Sequence, residues 1–177
     1  MGAALPLPPP AGALDSVALE RLFHGVAAPE QWDPQPVPRA MLDELHDLVS
    51  LCPAAAPQAP AGVLFIASEA ARVRLLRHTP PRLRANVLLA PVCAVVGYDP
   101  GFAEQLVCAG ATPSPAHARR MAGRTAALQG AYLMVAARSL GLEAAPLHGM
   151  DLSGVTLEFF RDAAARANFV CALGYAA

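Results

Sequence analysis

The stretch Thr125–Asp151, TAALQGAYLMVAARSLGLEAAPLHGMD, decides how the rest of the chain is read. From Ala126 to Leu140, alanines and long apolar residues surround the helix on every side, and an all-round apolar helix belongs inside a core or an interface. It reads as the central buried helix. Gly141 supplies the residue that can take positive φ past a helix C-terminus, with Arg138 in the last turn where a cation suits the dipole. Residues 142–151 then run extended and break into a Pro/Gly turn. Turns packed on buried helices often line sites.

Composition bounds the rest. The chain has 177 residues, 55% of them hydrophobic and only 15% charged, which suits one domain with a substantial core. A mean hydropathy of +0.38 leaves little charged surface, so the composition implies a large apolar area covered by another subunit. The net charge of −1 argues against nucleic acid or an anionic membrane as an obligate partner. All 13 basic residues are arginines, so lysine Schiff-base chemistry is excluded. The longest apolar runs, Val87–Tyr98 and Ala126–Ala137, fall short of the roughly 20 residues a membrane-spanning helix needs. Residues 1–14, rich in proline and without a basic leader, read as a flexible tail, and 15–177 as the folded domain. Cys52, Cys93, Cys108 and Cys171 have no C-x-x-C spacing and sit in apolar surroundings, which fits reduced thiols in a cytoplasm and no metal site.

Along the chain, Asp15 or Ser16 is placed to cap a helix over Val17–Phe23. The prolines of 24–38 exclude regular helix there, and Pro38 begins the next one, through Leu42, Leu45, Leu48 and Val49. Gly62–Ala67 reads as a short buried strand, Glu69–His78 as a helix with arginines on a solvated face, and Pro91–Tyr98 as a strand buried on both faces. Gly101–Arg119 reads as an irregular excursion with His117 as a surface loop histidine. A helix-like segment over Leu157–Arg166 and a last strand over Asn168–Tyr175 close the chain. The pattern as a whole predicts an α+β sandwich with two or three apolar strands among helices.

The order LQGAY, AAR-LGLE and AP-x-x-G-x-D within the quoted stretch, with LAPVCAVVGYD at Leu89–Asp99 and NFVCALGY at Asn168–Tyr175, resembles the FMN-dependent nitroreductase family. Within it the likeness is greatest to the branch of malonic semialdehyde (3-hydroxypropionate-forming) reductases. It runs from about Leu19 to Tyr175. The resemblance implies a three-layer sandwich with a central, mostly antiparallel sheet, in an interlocked dimer with two sites at the interface. It also implies which positions would hold FMN, and several depart from the pattern. Ala27 stands near the place of a phosphate-gripping arginine. Ala55 and Pro57 replace a serine and an asparagine that hold flavin atoms, and Gln58 either occupies a neighbouring polar position or faces water. Asn86 stands in place of a lysine at the flavin pyrimidine edge. The relatives' basic tail has no counterpart before Ala177. The backbone of Pro146–Gly149 would face the flavin N5 region, and Arg84 and Arg124 are the cations placed to substitute for lost anchors.

At about 1.5–3 kcal/mol for each hydrogen bond to a charged group, three lost cations correspond to roughly 4.5–9 kcal/mol of FMN affinity. Two hypotheses follow. One is a flavin-free relative, with FMN binding weak or absent, serving as a binding or partner protein or turned to another ligand. The other is an FMN-dependent NAD(P)H oxidoreductase acting on a small aldehyde, nitro or enone-type substrate, with NAD(P)H engaged only if FMN binds. The partner is a second copy of this chain or a flavin-competent paralogue. His148, the one imidazole in the signature stretch, either protonates a substrate near neutral pH or fills volume left by an absent flavin. Asp151 reads as a local cap.

Overall fold

The computed structural model describes residues 12–23, 29, 31–52, 61–101, 114–161 and 165–177. In chain order the elements are α1 (Ser16–Phe23), β1 (Trp32–Asp33), α2 (Arg39–Ser50), β2 (Ala61–Ile66), α3 (Glu69–Leu75), α4 (Arg84–Leu89), β3 (Val92–Tyr98), α5 (Pro115–Ser139), β4 (Glu143–Pro146), α6 (Leu152–Phe159) and β5 (Arg166–Ala176). Two single-turn 3-10 segments, Leu76–His78 and Pro81–Leu83, lie between α3 and α4.

The strands form one antiparallel sheet in the order β1-β5-β3-β2, with β4 also paired to β5. Strand alternation sends successive side chains to opposite faces, and β3 shows it directly. Val92, Ala94 and Val96 enter one core with Leu45 of α2 and Leu133 of α5. Cys93 and Val95 enter the other, with Leu75 of α3, Val87 of α4 and Val155 of α6. Helices therefore cover both faces, giving the three-layer α+β sandwich. A strand covered on both faces reads as a continuous apolar run, which is why the VCAVVGY segment was legible. A register shift between Val96 and Gly97 bends β3 beside Phe160, whose Cζ lies 3.2 Å from where a Cβ on Gly97 would sit.

Local capping explains most helix starts. The Asp15 carboxylate accepts from the Ala18 amide (2.7 Å), Ser68 Oγ from Ala71 (3.3 Å) and Ser114 Oγ from His117 (3.3 Å). These bonds satisfy amides that the first helical turn leaves without partners.

The structure corrects several expectations. The central helix begins at Pro115, because Ser114 caps it and proline suits the first helical position; His117 lies in its exposed first turn, not in a loop. Residues 102–113 of the expected excursion lie outside the described residues. Nor is the helix buried all round: Ala122, Ala126 and Leu133 face the sheet, while Leu128, Ala131 and Val135 are exposed. Among the described residues five strands form rather than two or three, since β1 and β4 are too short to carry a periodic signal. The helix expected over Leu157–Arg166 starts earlier, at Leu152, directly after its Asp151 cap, and α3 gives way to a 3-10 turn at Leu76.

Candidate functional site

The signature turn is hung between β5 and the 3-10 segment that follows α3. β4 pairs with β5 up to Pro146 opposite Cys171, and the Leu147 amide continues the ladder onto the Val170 carbonyl (2.9 Å). Gly149 then takes φ +92°, a conformation open to glycine at little cost. The Asp151 amide closes the turn on the carbonyl of His78 (2.9 Å). Leu147 and Met150 point into the core, leaving His148 and Gly149 exposed.

Arg82, which the sequence did not single out, reaches this turn. Its Nη2 donates to the His148 carbonyl at 2.7 Å, and a Cβ on Gly149 would stand 2.9 Å from the same nitrogen. The guanidinium thus occupies the space above the glycine. Asn86, on α4, turns its Oδ1 to the indole N–H of Trp32 (3.1 Å). Trp32 is buried, and a buried indole N–H requires an acceptor. Arg84 and Arg124 are exposed on α4 and α5 and make no hydrogen bond or ion pair among the described residues. Ala27, Ala55, Pro57 and Gln58 lie outside the described residues.

Beside the turn is a second polar group. His78 has Nδ1 3.7 Å from Asp151 Oδ2 and Nε2 3.9 Å from Glu158 Oε2. Arg74 meets Glu158 at 3.4 Å and stacks over Phe159 at 5.3 Å. Asp151 Oδ1 accepts from the Gly154 amide at 3.0 Å, so it caps α6 as expected. That hydrogen bond, with the nearby His78 adding to it, holds the Asp151 carboxyl below the usual range. No sequence signal pairs His78 with Asp151, because the contact joins segments far apart in the chain.

The arginine face of α3 is partly structural. Arg72 Nη1 donates to the Ala90 carbonyl, Arg74 belongs to the α6 contact, and Arg77 is exposed. Cys52, Cys93 and Cys171 are free and buried, and Cys108 lies outside the described residues. Burial pushes the Cys93 thiol up to about 12 against the opposing pull of Arg72, and raises Cys171 also. Neither is a ready nucleophile. Among the described residues no group of three or more His, Cys, Asp or Glu is arranged to hold a metal ion, and no helix is long and apolar enough to cross a membrane.

No family model matches the chain. It is 37% identical over 172 residues to a Caulobacter sp. (strain K31) protein named "Putative NADH dehydrogenase/NAD(P)H nitroreductase", covering 92% of this chain and 87% of that one. A protein of the same name from Stenotrophomonas maltophilia (strain K279a) is 36% identical over 171 residues, with the same coverage of each chain. The chain belongs to the nitroreductase family. Solved nitroreductase structures share its fold. One from Exiguobacterium sibiricum 255-15, in complex with FMN, superposes with a TM-score of 0.77 at 17% identity, covering 93% of this chain and 89% of that one. A Bacillus subtilis nitroreductase structure gives 0.76 at 16% identity, over 90% and 89%.

Proposed function

We propose that this nitroreductase-family chain binds FMN weakly or not at all, and serves as a binding or partner protein built on the nitroreductase fold or is turned to another ligand. The observation that carries this reading is the Arg82 guanidinium lying against Gly149 and bonded to the His148 carbonyl. It lies against the backbone that the resemblance would turn toward the flavin N5 region. Asn86 adds to it: its amide is neutral, and its oxygen is already committed to Trp32. A phosphate dianion and a reduced flavin both call for cations, and charge-assisted hydrogen bonds are the strong ones. These two contacts support weak binding, and no chemical step is routed through FMN.

Titrating the purified chain with FMN tests this directly. We expect a colourless protein, no quenching of flavin fluorescence at micromolar FMN, and no thermal stabilisation by added FMN. Saturable quenching with micromolar or tighter affinity would reject the reading. It would restore the second one, an FMN-dependent NAD(P)H oxidoreductase acting on a small aldehyde, nitro or enone-type substrate; the names of the relatives favour its NAD(P)H and nitro parts.

A second copy of the chain is the proposed partner. Met121 and Leu128 stand exposed on the outer face of α5, and apolar side chains aligned on one helix face mark an association surface. Light scattering should give a dimer; a stable monomer would remove the proposal. A mixed species with a flavin-bearing paralogue is the outcome that would replace it.

A further inference from the structure

The large apolar residues that α5 leaves in the open are evenly spaced. Met121, Leu128 and Val135 follow one another at intervals of seven residues, two helical turns, so they form a stripe about 21 Å long on one face. Leu128, at its centre, is the most open, 59% exposed against 37% for the other two. A seven-residue apolar repeat is the pattern by which one helix packs along another at a shallow angle. At its C-terminal end the stripe borders a hollow. Val135 and Ala131 line an apolar cleft of about 290 Å³, shared with Leu22 and Phe23 of α1. Charge is placed unevenly along the same helix. Arg119, Arg120 and Arg124 are exposed in its N-terminal half, α5 contains no Asp or Glu, and the only charged residue from Leu128 to Ser139 is the buried Arg138. A parallel pair of such helices would set arginine against arginine, an unfavourable like-charge contact. An antiparallel pair sets the arginines against the other helix's C-terminal half, where the backbone carbonyls give a partial negative charge.

We propose that α5 packs antiparallel on α5 of a second copy about a two-fold axis at Leu128, and that Met121 of each copy enters the α1–α5 cleft of the other. The inference rests on the second-copy association proposed above and specifies its geometry. With Leu128 on the axis, the residue seven positions before it faces the residue seven positions after it, so Met121 lies over Val135 at the mouth of the cleft. An unbranched thioether side chain suits an irregular apolar gap. A two-fold contact makes the same closure twice, so each cleft is completed by a residue of the other copy.

Introduced cysteines test the register in the full chain, with the unsubstituted chain setting the background and light scattering reporting assembly separately. Leu128→Cys should give a disulfide-linked dimer under mild oxidation, because the axis brings its two copies within the roughly 4–7 Å Cα separation that a disulfide spans. Met121→Cys and Val135→Cys should not cross-link alone. The chain carrying both should, since their separation of about 21 Å forbids closure within one copy. Phe23→Ala and Met121→Ala should each raise the dimer dissociation constant about fivefold or more, and the double variant should raise it by less than the product, because the two side chains touch across the contact. A dimer in which Met121→Cys or Val135→Cys cross-links by itself is parallel and overturns the proposal. So does a dimer in which Leu128→Cys stays unlinked, or one in which the two alanine effects simply multiply. A chain that stays monomeric removes the association itself, and this geometry with it. None of these readouts depends on FMN.

Discussion

The β3–β5 ladder and the signature turn lie next to each other and are held by opposite means. In the ladder, Val92 faces Leu173 and Ala94 faces Cys171, all fully buried or nearly so, and the position of each residue follows from its own alternation. In the turn, His148 and Gly149 are exposed, and their geometry depends on Arg82 and on the carbonyl of His78, both remote in sequence. One region is specified by what it buries, the other by what reaches it. The ladder should therefore be costly to alter and insensitive to distant substitutions, and the turn the reverse.

The largest effect is expected in the ladder. Leu173 is fully buried, and Leu173→Ala should cost about 3 kcal/mol in urea unfolding, the sum of lost transfer and a cavity. Beside it, a Cβ on Gly174 would stand 2.4 Å from Pro91 Cδ and 3.1 Å from Trp32 Cε3, where neither rigid ring can give way. Gly174→Ala should cost about 2 kcal/mol by overpacking. Stability unchanged in either variant would break the contrast.

A smaller effect is expected in the turn. Gly149→Ala meets both φ +92° and the Arg82 nitrogen at 2.9 Å and should cost about 1–2 kcal/mol. In an Arg82→Ala background the same change should cost less, since only the backbone strain remains. A double-mutant cycle with no coupling would show that Arg82 does not shape the turn. The corresponding cycle with Leu173→Ala should be additive.

The smallest effect is local and depends on pH. Asp151 has its folded pKa depressed, first by the Gly154 amide. Its contribution is therefore fully present above the unfolded value, about 3.9, and is lost as pH falls through the lower folded value. The protection of the Gly154 amide, measured against the intrinsic exchange rate at each pH, should fall through that window, while the amides of β3 remain protected. Uniform loss of protection in both regions would merge what is here kept apart.

The sequence by itself determined the elements whose signal is local. The two-sided burial of Val92–Tyr98, the turn after Leu140, the Asp151 cap and the strand that ends the chain all follow from neighbouring residues, because periodicity and capping act over a few positions. The family was legible in the same way, from motif order along Leu89–Tyr175. Only the tertiary structure decided what those elements meet. The exposed face of α5 was hidden because alanine-rich helices read alike whether covered on one side or on all. Arg82 over Gly149 and Asn86 on Trp32 are contacts between segments distant in the chain. Long, flexible arginine side chains can serve water, a carbonyl or a ligand equally well, so their partners are set by the packing around them and by nothing in their own neighbourhood of sequence.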